Sequence, residues 1–337
     1  MTVNATPPVL RLPAASPELA GRLSDGLDRV NALIAERVDL DDPFIAEASG
    51  HLVSAGGKRL RPLLTLLAAE LGTDGIGDDV ITAAAAVELT HLASLYHDDV
   101  MDEALVRRGA PSANARYGNS TAILVGDLLF GLASEMMAGL GPEAVLIQAQ
   151  TFVRLCAGQI RDDRPAPAGS DPVDYYLGVL ADKTGVLIAT SARYGAMFGG
   201  SSPQVVETMR EYGERLGMAF QLADDLIDIA SEADDTGKTP GTDLREGKAT
   251  LPVLFARASK DPADDRLKEL LGADLRHDEG LLGEALELLR VHPAMDQAQQ
   301  RTYAVAHAAA DSLSGLPDSD AKAALVALAT TVVDRAG

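Results

Sequence analysis

Apolar residues recur at steps of three and four along almost the whole chain, while the strict alternation that builds a half-buried strand is nearly absent. The pattern predicts an all-α protein. Residues 1–15, rich in Pro, Ala and Ser, read as a flexible arm, and residues 16–337 as one continuous domain. Ordered structure is expected to begin at Ser16, where Ser-Pro-Glu-Leu has the form of a helix start with proline at the first helical position. The clearest helix is ITAAAAVELTHLASLYHDDVMD, from Ile81 to Asp102, whose 22 residues would extend about 33 Å at the usual rise. It is apolar nearly all round, which predicts a central, buried element. A second central helix is expected from about Pro203 to Ile229, and glycine- and proline-bearing breaks fall at 109–111, 169–172, 199–203 and 237–241.

Composition sets the class of protein. A chain of 337 residues that is 47% hydrophobic and 23% charged has the makings of a globular fold with a sizeable core. Its formal net charge of -21 repels phosphate backbones and anionic bilayers at long range, which argues against a nucleic-acid partner. Small anions remain open, because a few cations at close range outweigh a distant, screened field. No run of eighteen uninterrupted apolar residues occurs and the first residues lack a basic start ahead of an apolar core, so the expectation is a cytoplasmic protein without stable membrane insertion. Cys156, the single cysteine, excludes an intrachain disulfide and reads as a buried thiol. Seven lysines stand against 22 arginines, and several of the seven sit beside glycine or threonine, where a compact point charge suits a phosphate oxygen.

The candidate chemistry lies in HDDVMDEALVRRG, residues 97–109, and in QLADDLID, residues 221–228. Residues four apart share a helix face, so Asp98 with Asp102, and Asp224 with Asp228, form two-carboxylate claws. Asp99 and Asp225 point about 100° away and are suited to holding the helices in register or to serving as further ligands. Each claw ends a helix whose preceding turns are apolar, so its carboxylates crowd at the rim of a core and call for a cation. An oxygen-only donor set without His or Cys suits Mg²⁺, which keeps several waters and completes its shell with phosphate oxygens. The two claws are therefore expected to hold a diphosphate through bridging metals. Cations accompany them: Arg107 and Arg108, the run GGKRLRP at 56–62 with two glycines that let backbone approach an anion, Lys183-Thr184, and Lys238 to Lys248.

These elements together resemble the trans-isoprenyl diphosphate synthases, or polyprenyl synthetases, from about position 20 to the C-terminus. The residues that carry the resemblance are GGKRLRP at 56–62, HDDVMDEALVRRG at 97–109, Gly126-Asp127, Lys183-Thr184, FQLADDLID at 220–228 and GKTPGTDLREGK at 237–248. The resemblance implies antiparallel helices around a deep central cavity, the isoprenoid synthase fold, in a homodimer. It implies three Mg²⁺ ions on Asp98, Asp102, Asp224 and Asp228, with Arg107, Lys183 and Lys248 on the allylic diphosphate and Lys238 nearby. Lys58, Arg61, His91 and Arg108 would form the pocket for isopentenyl diphosphate.

Thr184 and Gln221 are placed to aim oxygen dipoles at an allylic cation while apolar walls exclude water. Asp162, Asp163, Asp234 and Asp235 read as solvated acids. In the family, bulky residues four and five positions before the first aspartate stop chain growth early; here they are Ser94 and Ala93, both small, and Leu89, Thr90 and the Ala83–Ala86 run lie deeper. A long all-trans product of the size used for quinone side chains is expected ahead of a C15 or C20 product. The rival readings are a terpene cyclase or head-to-head condensing enzyme on the same fold, a non-catalytic partner subunit, and a helical interaction protein with a solvated acidic face.

Overall fold

The structure, a computed structural model, describes residue 12, residues 14–231 and residues 240–334. Most of the expected N-terminal arm, Lys238 and the acids at 234 and 235 lie outside the described residues.

The periodicity is realised as helices. In chain order they are α1 (Pro17–Val38), α2 (Pro43–Ser54), α3 (Leu60–Ala69), α4 (Asp78–Met101), α5 (Ala113–Tyr117), α6 (Asn119–Gly139), α7 (Pro142–Asp162) and α8 (Pro172–Leu180). A π turn, Ala181–Gly185, leads into α9 (Val186–Phe198), followed by α10 (Pro203–Ala230), α11 (Thr242–Arg245), α12 (Leu251–Ala258), α13 (Asp265–Leu271), α14 (Glu279–Arg290), α15 (Pro293–Ser312) and α16 (Asp320–Asp334). Among the described residues the only strand pair is a two-residue ladder, β1 (Val106–Arg107) with β2 (Ala110–Pro111), closed by Arg108 and Gly109 at positive φ. Ser16 caps α1 as expected, its hydroxyl accepting from the Leu19 amide at 3.2 Å, with Pro17 at the first helical position. The helix expected at 81–102 begins earlier, at Asp78. Gly77 serves as its cap, and Asp78 and Asp79 favour the positive end of the helix dipole.

The described residues fall into two compact units. The first takes residues up to Val153, with Leu187–Gly213 and Gly315–Ala327. Its centre is α4, along which α6, α3 and α1 pack. The alanines at 83–86 and 93, with Leu89, Leu92 and Tyr96, are all buried, and their small side chains let neighbouring backbones come close. Tyrosine hydroxyls tie the helices together: Tyr96 donates to Ala48 O (2.5 Å), Tyr194 to Ala144 O (2.7 Å) and Tyr212 to Leu325 O (2.7 Å). Each brings a polar tip to a partner inside an apolar setting, where an unmet hydroxyl would cost about 1–3 kcal/mol.

The second unit comprises Arg154–Val186, Glu214–Ser314 and the residues from Leu328. Leu180, Leu222, Leu226, Leu251 and Ala298 form one cluster beneath the second acidic motif, and Ile229, Val253, Leu267, Leu270, Leu282 and Leu289 belong to another. The C-terminal end of α10 is held by Arg290, which donates to Ile229 O (2.8 Å) and Ser231 O (2.6 Å). A cation there meets the negative end of the helix dipole and the carbonyls that lack intrahelical partners.

Candidate active site

In the first unit, the end of α4 carries the first motif. Asp98 is half-buried in the last turn and Asp102 is the exposed C-cap residue, joined by the Asp102 N–H to Asp98 O bond of 2.8 Å. Asp99 turns inward and is fully buried. Its Oδ1 accepts from the Arg107 guanidinium at 2.5–2.6 Å, and its Oδ2 has no partner among the described residues. Burial pushes Asp99 up against the opposing pull of Arg107. Sequence periodicity placed Asp99 off the claw face correctly; that it anchors Arg107 is a structural finding.

A cationic recess adjoins the same helix. Gly56 (φ 84°) and Gly57 (φ 147°) bring the backbone of residues 56–59 against Arg108, whose guanidinium donates to Gly56 O and, at 3.3 Å, to Leu52 O. A Cβ at Gly57 would stand 2.9 Å from the movable guanidinium end of Arg108, and the φ of 147° reserves the position for glycine. Arg61 and His91 complete the recess. Burial lowers Arg61 to about 10, with Glu88 opposing and Arg108 adding to the fall. Burial and then the positive charges of Arg61, Arg108, Arg59 and Arg107 hold the His91 imidazole well below its ordinary value. His91 is therefore neutral at pH 7 in a setting that invites an anion. Lys58 is exposed beside it.

The second unit brings together Lys183, Thr184, Gln221, Asp224, Asp228 and Lys248. The π turn that carries Lys183 and Thr184 is pinned from α7 by Arg154, which pairs with Asp182 at 2.8 Å, by an Arg161–Asp182 pair, and by close approach of Gly158. Such turns inside α-helices are frequent at functional sites. Asp162, read as a solvated acid from the sequence, is corrected here: its Oδ2 accepts from Lys183 Nζ at 2.7 Å and from Lys248 Nζ at 3.0 Å. Asp163 adds a 3.2 Å contact to Lys248. The two ammonium groups lower the Asp162 pKa against the effect of its burial.

A further chain of hydrogen bonds sets Gln221. Its amide nitrogen donates to Asp225 Oδ1 at 2.9 Å, so its carbonyl oxygen is turned to Thr184 Oγ1, 3.5 Å away. Tyr176 donates to Asp225 Oδ2. Asp225 is buried and lifted to about 7 by that burial, partly offset by the bonds from Tyr176 and Gln221. Asp228 accepts the Thr242 amide (3.2 Å) on one oxygen and the Asp243 amide (3.0 Å) on the other. Nothing in the sequence marks Tyr176, since a tyrosine in an amphipathic helix carries no local sign of its partner. A cavity of about 750 Å³, lined among others by Arg161, Asp162, Tyr176, Lys248 and Arg257, opens beside the Asp162–Lys248 pair.

No three His, Cys, Asp or Glu side chains converge into a ready-made cage among the described residues. The donors at each claw are carboxylates alone, a set that fits a hard divalent ion completing its shell with water and phosphate oxygens.

The helical architecture is the isoprenoid synthase fold, and carboxylate pairs set beside lysine and arginine sockets are what a metal–diphosphate enzyme on it requires. The chain belongs to the polyprenyl synthetase family, whose profile matches residues 42–289. It is 46% identical over 318 residues to the nonaprenyl diphosphate synthase of Mycobacterium tuberculosis, covering 94% of this chain and 95% of that protein. Among solved structures it is similar to the geranylgeranyl pyrophosphate synthase of Corynebacterium glutamicum complexed with calcium and isoprenyl diphosphate. That likeness has a TM-score of 0.85 and 42% identity, and covers 96% of this chain and 98% of the other. The decaprenyl diphosphate synthase of Rhodobacter capsulatus gives a TM-score of 0.86 and 36% identity, covering 95% of this chain and 99% of that one. The protein is thus a prenyltransferase that elongates an allylic diphosphate with isopentenyl diphosphate, and its family depends on divalent metal.

Proposed function

We propose that the protein makes a long-chain all-trans polyprenyl diphosphate, of the kind used for quinone side chains, by successive 1'-4 condensations. The observation that carries the two-substrate chemistry is the half-buried recess of Arg61, His91 and Arg108 beside the helix that ends in the Asp98–Asp102 claw. One site suits a diphosphate that comes with metal and the other a diphosphate that comes bare. A terpene cyclase has no use for the second.

In this reading Asp98, Asp102, Asp224 and Asp228 hold Mg²⁺, three ions per site, with the allylic diphosphate. The metal supplies charge neutralisation that makes the diphosphate a better leaving group. Arg107, Lys183 and Lys248 hold the same diphosphate and stabilise the charge that grows as the C–O bond breaks. Thr184 and the Gln221 carbonyl, aimed by Asp225, face the allylic cation with oxygen dipoles. Lys58, Arg61, His91 and Arg108 present isopentenyl diphosphate, whose double bond attacks that cation. A proton then leaves to the released diphosphate, restoring a trans alkene five carbons longer.

Small residues on α4 support a long product. Ala93 and Ser94 put no bulk beneath the first aspartate, and Ala86, Val87 and Thr90 line a small cavity two and three turns deeper, with Met137, Thr151, Thr190 and Tyr194. A C20 product is the second reading, favoured by the likeness to a geranylgeranyl pyrophosphate synthase. Homodimer formation is supported by an uncovered apolar face: Ile123 and Leu124 on α6, and Leu146 and Val153 on α7, are exposed. We place the enzyme in the cytoplasm. The test is incubation of purified protein with Mg²⁺, labelled isopentenyl diphosphate and geranyl, farnesyl or geranylgeranyl primers, with products sized by chromatography. Products of many added units support the long-chain reading, a C20 end point supports the second, and product formation without isopentenyl diphosphate sinks both.

A further inference from the structure

We infer that Glu88 is a positioning residue for isopentenyl diphosphate, acting through Arg59. The inference rests on reading Lys58, Arg61, His91 and Arg108 as that substrate's pocket.

Residues 56–59 form a loop whose backbone does not hold itself. Gly56, Gly57 and Arg59 all have positive φ, Arg59 at 50°, and Arg59 caps α3 without a side-chain hydrogen bond. A non-glycine residue in the left-handed region persists only where its surroundings fix it, and such positions cluster where a ligand is gripped. The fixing is done by the Arg59 side chain. It turns away from the exposed Lys58 into the core, with 8% of its surface exposed, and meets Glu88, itself 2% exposed, at 2.6 Å. Its remaining donors reach Asn31 Oδ1 and Val53 O, both at 3.2 Å. One guanidinium thus ties the loop to α1, α2 and α4.

Glu88 has a second effect. It lies one turn before His91 on α4, and its charge acts on Arg61 and Arg108, opposing the burial that lowers both. Without it Arg59, 8% exposed, would lose its carboxylate partner beside Arg61, His91 and Arg108. The same device recurs three turns along the helix, where buried Asp99 anchors Arg107 beside Arg108, another residue at positive φ (54°). Helix α4 therefore carries two inward carboxylates eleven residues apart, each securing an arginine of a cation-bearing loop.

Breaking a buried ion pair destabilises a protein whatever its role, so the test needs a readout that stability alone does not move. In Glu88→Gln, steady-state rates are measured at fixed Mg²⁺ with each substrate varied in turn. The expected result is a KM for isopentenyl diphosphate raised about tenfold, with the KM for the allylic primer and kcat at saturation both within about twofold of the parent. Arg59→Lys, which keeps the charge and loses the contacts to Asn31 and Val53, gives the same split and serves if Glu88→Gln shows no cooperative melt. A fall in kcat with both KM values unchanged reports a smaller folded fraction and overturns the inference. Lys58→Ala and Arg61→Ala run alongside. If neither raises the KM for isopentenyl diphosphate, the pocket reading fails and takes the inference with it. If both raise it while Glu88→Gln and Arg59→Lys do not, the pocket stands and Glu88 has no positioning role.

Discussion

Gly158→Ala isolates the placement of the π turn from every charged group around it. In the second unit, a Cβ built on Gly158 stands 2.5 Å from Lys183 N, 2.8 Å from Asp182 C and 2.9 Å from Lys183 Cα, all backbone atoms. Ordinary contact begins at 3.4 Å, so the turn must retreat by 3.4 − 2.5 = 0.9 Å. If Lys183 follows along its bond direction, its 2.7 Å contact with Asp162 opens to 2.7 + 0.9 = 3.6 Å, beyond hydrogen-bonding range. Overpacking of this kind costs about 1–3 kcal/mol, and the helix preference of alanine over glycine returns about 1 kcal/mol. The net loss of stability, roughly 0–2 kcal/mol, leaves a folded protein. Catalysis is far less tolerant, because a displacement near 1 Å costs on the order of a hundredfold in rate.

The variant should therefore melt cooperatively within several degrees of the parent and incorporate labelled isopentenyl diphosphate about a hundredfold more slowly. Unchanged kcat/KM at an unchanged melting temperature would refute the reasoning, since it would mean that the turn and α7 are not in the close approach on which the estimate depends. Loss of activity in proportion to lost folded protein would also refute it, placing the whole effect on stability.

Asp162→Ala frees Lys183 and Lys248 from their shared carboxylate; the KM for the allylic primer should rise about tenfold, with a smaller rise in Asp162→Asn, and an equal KM in all three proteins would deny the acid a role. Ala93→Phe should shorten the products. Because Ala93 is only 1% exposed, Ser94→Phe at the half-buried neighbour is the companion variant, and an unchanged product distribution in both, folded by circular dichroism, removes the tail from that face of α4. His91 gives a pH signature: its folded-state pKa is depressed below the ordinary 6.5 by burial and by Arg61 and Arg108. Between those two values the unfolded chain binds a proton that the native protein does not, so stability falls as pH drops below 6.5. Denaturant titrations at stepped pH should show this slope flattened in His91→Gln, and an identical slope would mean that the imidazole is not enclosed as described.

Which of these groups the sequence makes legible follows from how far their partners lie along the chain. Helix periodicity is local, and it located the central helices, the cap at Ser16, and the inward faces of both acidic motifs. Asp99 and Asp225 were placed off the claw by a 100° rotation, and both are buried where that rotation sends them. The longer-range anchors were not legible: Tyr176 is 49 residues from Asp225, Glu88 is 29 from Arg59, and Lys248 is 86 from Asp162. At such separations nothing in the flanking residues distinguishes an anchoring acid from a solvated one, which is why Asp162 read as surface.

The anchoring acids share a physical task with one another and not with the claws. Lysine and arginine side chains are long, and each holds about 2 kcal/mol of rotamer entropy that must be surrendered before a diphosphate is gripped. Waiting for the substrate to order them would draw that cost from binding. A carboxylate fixed on a helix orders them beforehand: Glu88 on Arg59, Asp99 on Arg107, Asp162 on Lys183 and Lys248. Beyond these carboxylates the Lys183 ammonium keeps two donors, the Lys248 ammonium one, and the Arg107 fork more, so the anchors leave donors for the substrate while setting their direction. A neutral acceptor of similar shape would direct them less firmly, which is why the amide variants at positions 88 and 162 separate positioning from packing.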